Sequence, residues 1–283
     1  MVKIIADSTC DLSQDLIEKY DVSVLPLHIL LGEEEYEDGK SITPDEIYAW
    51  SDANKTTPKT SAAGIMDAID IMKPYVEEGR EIVFFTISGS MSTTYNVIRM
   101  AADELDAEDS VFVVDSKNLS TGIGLMVIEA ALMAKAGKSG AEIFEEIERI
   151  KPLVRSSFVV DTLTYLHRGG RCGAVAAMAG GVLKLHPKIV VENGKMDASK
   201  KYRGKMDMVI CSYVKDLEED LKNAKKDRVF ITHSGCDRAL LDSIHEQLAN
   251  LNIFEEILET RAGGVVSSHC GPGTLGVLFI AGE

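Results

Sequence analysis

The chain has few of the features that announce a particular chemistry. Its 283 residues include one tryptophan, seven prolines and five cysteines, and no Cys-x-x-Cys pair occurs. An odd number of widely spaced thiols argues against a disulfide framework and against a cysteine zinc site. Lys and Arg number 30 against 45 Asp and Glu, a net charge of −15, so the broad basic face needed for bulk nucleic-acid binding is missing. No Gly-x4-Gly-Lys-Ser/Thr and no Gly-x-Gly-x-x-Gly follows a first strand, which removes the common nucleotide loops. Long apolar runs are also scarce. The most apolar stretch, Leu119–Ala136, contains Ser120, Thr121, Glu129 and Lys135 and reads as a buried helix rather than a membrane span. The opening Met-Val-Lys-Ile-Ile-Ala-Asp turns polar before a secretory core could form, so a cytoplasmic protein with reduced thiols is expected.

What is present is an ordinary globular composition, 45% apolar and 27% charged, over a length that suggests two domains. Short apolar strands alternate with helical patterns, the signature of α/β architecture. Val2–Ala6, Glu81–Ile87 and Ser110–Val114 read as strands that end in small polar loops. Helical patterns follow at Leu12–Tyr20, Met91–Leu105, Leu119–Ala136 and Ser139–Lys151. In parallel α/β sheets, ligands bind at such strand ends. Val22–Leu31 reads as extended, Glu33–Asp38 as a solvated acidic loop, and Thr43-Pro44 as a helix start. From Val154 onward the pattern changes. Ser156–Val160 is strand-like, Leu163–His167 begins a short helix, and Ala174–Gly181 is small and apolar, suited to tight packing. Lys188–Val191 and Lys195–Lys201 flank Asn193-Gly194, a hairpin signal. Lys205–Ala224 reads as one helix. Val229–Thr232, Ile253–Glu259 and Leu275–Ala281 read as strands, with a helix over Arg238–Leu251. The expected organisation is an N-terminal parallel-sheet α/β domain, 1–155, and a C-terminal α+β domain, 156–283.

Several polar clusters could share one site: Asp7-Ser8-Thr9, Thr60-Ser61, Ser88 to Thr94, Arg171 after Gly169-Gly170, and His269 beside Cys270. Most of their groups are neutral donors, and hydroxyls with backbone N–H groups can receive an anion. A serine hydrolase or acyl-transfer enzyme could be assembled from Ser92, His269 and Asp115, but no Gly-x-Ser-x-Gly elbow supports it. Asp7 and Asp115 could bind a metal, although capping helices and holding loops is the simpler role. A third reading is a regulatory protein that takes a short carboxylate or phosphate. Between Tyr165 and Lys205 nine bases face two acids, which is either a solvated hairpin or a patch for an acidic partner.

In order along the chain, the clusters resemble the DegV family. Asp7-Ser8-Thr9-Cys10-Asp11-Leu12 is similar to its opening motif, Thr60-Ser61 to the start of a Thr-Ser-Gln-Pro-Ser segment, and Ile87–Tyr95 to its Ser-rich loop. Val114-Asp115-Ser116, Thr162–Arg171 and His269–Gly276 follow in register. Two departures stand out: Ala62-Ala63-Gly64 replaces Gln-Pro-Ser, and Ser92-Thr93-Thr94-Tyr95 replaces Ser-Gly-Thr-Tyr. The resemblance implies two α/β domains with a fatty-acid tunnel between them and no intrinsic chemistry or cofactor. It places the carboxylate at Thr60, Ser61 and Ser92 near His269, with Arg171 close by. It also implies a separate fatty acid kinase as partner, which gives Arg171 and Arg203 in the basic segment a candidate docking role. Tunnel-wall candidates are Ile123, Met126, Met178, Val182, Leu183, Val265 and Val266.

Overall fold

A computed structural model describes residues 1–171 and 185–282. The N-terminal half is built on a parallel sheet. Its strands are β1 (Lys3–Asp7), β2 (Val22–Leu25), β6 (Ile82–Thr86) and β7 (Val111–Asp115), in the order β2-β1-β6-β7. β1 and β6 are buried at every position, which is why they read as unbroken apolar runs: helices cover both faces. The extended segment 22–31 serves two sheets. After β2 the chain leaves for β3 (His28–Leu31), which pairs with β4 (Glu34–Glu37) and β5 (Lys59–Ser61) in a small antiparallel sheet. The acidic stretch expected as a loop is therefore strand β4, with Glu35 opposite Leu30. It lies at a sheet edge, where charged side chains can face water.

The helices of this half are α1 (Gln14–Lys19), α2 (Pro44–Asn54), α3 (Ile65–Glu77), α4 (Thr94–Glu104), α5 (Thr121–Lys135) and α6 (Gly140–Ile150). α2 begins with a capping box between Thr43 and Glu46 and Pro44 at its first position; α6 begins with the same box between Ser139 and Glu142. α5 is apolar almost all round because it is enclosed, packing on β1 and β6 on one side and on the second sheet on the other.

That second sheet has the order β10-β9-β8-β13-β11-β12. Its strands are β8 (Val154–Val159), β9 (Leu185–Glu192), β10 (Lys195–Arg203), β11 (Ala224–His233), β12 (Glu256–Arg261) and β13 (Leu275–Ala281). All its pairings are antiparallel except β11 with β12. Asn193 and Gly194 both take positive φ, 51° and 81°, and close the β9–β10 hairpin as their sequence demands. The helices are α7 (Thr164–Gly169), α8 (Met206–Asp216), α9 (Glu218–Lys222), α10 (Arg238–Ala249) and α11 (Gly264–Cys270). The single helix expected over 205–224 is thus two, α8 and α9, and Ala224 already belongs to β11. No strand is shared between sheets among the described residues, but α11 crosses between halves, packing on α2, β3 and β5 as well as α7.

Candidate functional site

The first polar motif is spent on architecture. Asp7 accepts from the Thr9 amide at 3.1 Å and hydroxyl at 2.5 Å and from the Ile87 amide at 2.7 Å, tying the end of β1 to the end of β6. Ser8 Oγ donates to Asp38 at 2.8 Å. Asp11 accepts from Ser120 Oγ at 2.5 Å and from the Gly263 amide at 2.8 Å; Asp38 accepts from the Gly264 amide at 2.6 Å. Two aspartates from the N-terminal half therefore satisfy the free amides at the start of α11, where negative charge is favoured. Burial pushes Asp7 up to about 6 and Asp11 up to about 8, and raises Asp38 as well.

α11 carries Val265, Val266, His269 and Cys270 to the wall of a cavity of about 420 Å³. β5 supplies Thr60 and Ser61, and the loop after β6 supplies Gly89 to Thr93. Leu27, Ile87, Leu119 and Met196 complete an apolar wall, and Arg171 stands at the rim of the described residues. The structure thus brings Thr60, Ser61, Ser92, Arg171 and His269 around one space, although they are scattered over more than 200 positions. Arg203 is elsewhere. It ends β10, while Met196, seven residues earlier on that strand, lines the cavity, a separation of roughly 23 Å along an extended chain.

Thr60 Oγ1 and His269 Nε2 are 2.8 Å apart. His269 Nδ1 is buried and has no hydrogen-bond partner among the described residues. It points edge-on at Gly169, where a Cβ would come within 2.3 Å of it, so the ring can sit there only because residue 169 is glycine. Burial pushes His269 down to about 4, and the charge of Arg171 adds to the shift, so the ring is neutral at pH 7. Ser92 Oγ shares a 2.8 Å hydrogen bond with Thr94 Oγ1 and accepts from the Thr94 amide at 3.3 Å. Ser88, although in the same loop, is turned away and donates to the Gly194 carbonyl at 2.8 Å, pinning the hairpin turn to the loop.

The hydrolase constellation is not assembled. Asp115 accepts from the Gly89 and Lys117 amides at 3.0 and 3.1 Å and from Lys117 Nζ at 2.6 Å, and no carboxylate reaches His269 among the described residues. Asp7 is a strut and Asp115 a loop anchor, and no group of three His, Cys, Asp or Glu among the described residues could hold a metal. Ile123 and Met126 are fully buried in the core rather than in the wall. Val265 and Val266 line the cavity; Met178, Val182, Leu183 and the 174–181 stretch lie outside the described residues. The sequence reading missed Leu27, Leu119 and Met196. For Met196 a signal existed, since it is the inward residue between Lys195 and Asp197 on a strand. Among the described residues no helix is long and apolar enough to cross a membrane.

A family profile described as "Uncharacterised protein, DegV family" matches residues 1–282. A DegV domain-containing protein of Clostridium perfringens is 33% identical over 279 residues, covering 99% of this chain and 98% of its own. A solved structure described as fatty acid binding of a DegV family protein from Thermus thermophilus superposes with a TM-score of 0.90 at 30% identity over 99% of both chains. A stearic acid-binding protein from Eubacterium ventriosum gives 0.86 at 30% identity, over 99% of this chain and 98% of its own.

Proposed function

The chain belongs to the DegV family, and from that premise we propose that it binds a long-chain fatty acid in the cavity and presents the carboxylate to a separate fatty acid kinase in the cytoplasm. The observation that carries the reading is one space with apolar walls and a cluster of hydroxyls, Thr60, Ser61 and Ser92. Burying an acyl tail contributes about 0.8 kcal/mol per CH₂, so roughly fifteen methylenes offer on the order of 12 kcal/mol before ordering costs. The tail dominates affinity and the hydroxyls fix its direction.

The neutral His269 has a defined part in this arrangement. A buried N–H without an acceptor costs more than a bare lone pair on Gly169, so the favoured tautomer carries its proton on Nε2. Nε2–H then donates to Thr60 Oγ1, and the Thr60 hydroxyl proton is free to donate to the carboxylate. Held by hydroxyls rather than paired with a buried cation, the carboxylate stays nucleophilic toward a phosphoryl donor. The kinase would meet the rim at Arg171 and the basic strand β10 ending in Arg203.

Mass spectrometry of an organic extract of the purified, unheated protein tests the binding reading. A co-purifying long-chain fatty acid in near-equimolar amount is expected; an empty extract, with no uptake of added oleate, overturns it. Presentation is tested with a fatty acid kinase catalytic subunit and ATP. Acyl phosphate formed only when this protein, the kinase and fatty acid are all present supports it, and formation at the same rate without this protein overturns it.

A further inference from the structure

One edge of the parallel sheet is open. β7 pairs with β6 on one side, and no strand pairs with its other side among the described residues. The Ser110 carbonyl accepts from the Ile82 amide at 2.8 Å and the Ser116 amide donates to the Thr86 carbonyl at 3.3 Å, so both serines bond toward β6. Main-chain groups alternate sides along a parallel ladder, which places the amide and carbonyl of Val113 on the open side. Natural edges are guarded. β4 carries glutamates and β10 lysines, whereas β7 reads Val-Phe-Val-Val-Asp and runs in unbroken register with β6, with no charge and no proline before Asp115. Phe112 and Val113, on opposite faces of the strand, are both only half-buried.

Beside this edge lies a groove of about 640 Å³ between β7 and α4. Val111 and Val113 form one wall and Tyr95, Arg99 and Met100 much of the other; Met100 is 58% exposed. Asp103 and Glu108 close one end. Arg99 lies 5.8 Å from the centre of the Tyr95 ring, and neither it nor Asp103 or Glu108 has an ion-pair partner among the described residues. α4 returns the chain from the end of β6 to the start of β7 and so runs against both strands. The groove therefore has a polarity, with Tyr95 and Arg99 toward the end of β7 and the two acids toward its start.

Such a groove is complementary to itself. A two-fold axis through the middle of β7 sets two copies antiparallel, edge to edge, and brings the acidic end of each groove to the basic end of the other. Opposite charges placed in this way steer the encounter and fix the register. The open groups of Val113 gain partners, and Phe112, Val113 and Met100 lose exposed apolar surface. We infer that β7 and α4 form the interface of a two-fold dimer of this chain, in which antiparallel β7 strands join the two parallel sheets and Arg99 of each copy meets Asp103 and Glu108 of the other.

Sedimentation velocity of the purified full chain over a concentration series tests the interface. A reversible dimer is expected. Val113→Lys, which puts a charge on the open edge, should weaken it by about tenfold or more. Arg99→Glu, and separately Asp103→Arg with Glu108→Arg, should each sediment as monomers. An equimolar mixture of those two proteins should restore the dimer, because only the mixed pair has opposite charges at both ends; misfolded variants would show no such recovery. Fatty-acid content should match that of the parent in every variant. A parent that stays monomeric up to about 1 mM overturns the inference and leaves the edge to a strand of another protein. A dimer unmoved by Val113→Lys, or charge variants that fail to associate when mixed, would overturn it as well.

Discussion

Thr60 Oγ1 and His269 Nε2 share a 2.8 Å hydrogen bond, and in the proposed site a proton on Nε2 leaves the Thr60 hydroxyl free to donate outward to a carboxylate. Thr60→Val should lower fatty-acid affinity by about tenfold, the scale of one hydrogen bond to a charged group, with an unchanged circular dichroism spectrum. Ser92→Ala should do the same, and unchanged retention and phosphorylation would remove Ser92 from the site. Gly169→Ala should match Thr60→Val in binding and also cost about 1–3 kcal/mol of stability, because the new methyl drives the imidazole off its seat. Residues of this kind were legible as types: neutral donors in short clusters marked Thr60, Ser61, Ser92 and His269. Orientation was not legible. Ser88 and Ser92 are four residues apart in one loop, yet one is spent on a backbone carbonyl and the other faces the cavity. Asp7 and Ser8 look no less functional in sequence, and both are consumed in holding the frame.

Among the elements, the β9–β10 hairpin bears on the cavity through Met196 and through the Ser88–Gly194 hydrogen bond. Gly194 takes φ of 81°, and a Cβ there would come within 2.6 Å of Ser88 Oγ. Gly194→Ala should therefore loosen the Ser-rich loop, cost about 1–3 kcal/mol of stability, and speed fatty-acid exchange in a fluorescent-lipid displacement assay. The hairpin itself was plain from Asn-Gly between alternating runs. Its charge has two uses. β10 is a sheet edge, and lysines on an edge strand keep other chains from pairing with it. They can also steer an acidic partner. Arg171→Glu with Arg203→Glu separates the two: loss of kinase-coupled turnover with intact fatty-acid content assigns docking, whereas aggregation with unimpaired coupling assigns edge protection. Strand β4 was hidden because acidic residues suppress the apolar alternation that marks a strand, and the break between α8 and α9 because helical spacing continues across Leu217.

At the scale of the whole molecule, three buried carboxylates among the described residues, hydrogen-bonded and without a salt-bridge partner among them, bear on the pH response. Asp7, Asp11 and Asp38 hold protons more tightly folded than unfolded. His269, pushed down to about 4, acts in the opposite sense below the ordinary 6.5 of a histidine, so it no longer opposes the carboxylates between about pH 6.5 and about pH 8, where Asp11 titrates in the fold, and there stability should fall as pH rises. Thermal melts should give a higher Tm at pH 6.5 than at pH 8, and Asp11→Asn, which mimics the protonated form, should flatten that slope. A Tm that climbs across this window would contradict the burial of these groups. The layered α/β plan was readable from the order of strands and helices. The seam was not, because contacts such as Asp11 with Gly263 join residues that no periodicity connects.

Those same contacts set when the cavity can be complete. The helix that walls it is the second-to-last element and is held by carboxylates from the first forty residues. A chain emerging from the ribosome folds its earlier parts first. Until residues 264–270 have emerged, a nascent copy lacks this wall of the cavity, and a molecule cut short before Gly264 would lack it for good.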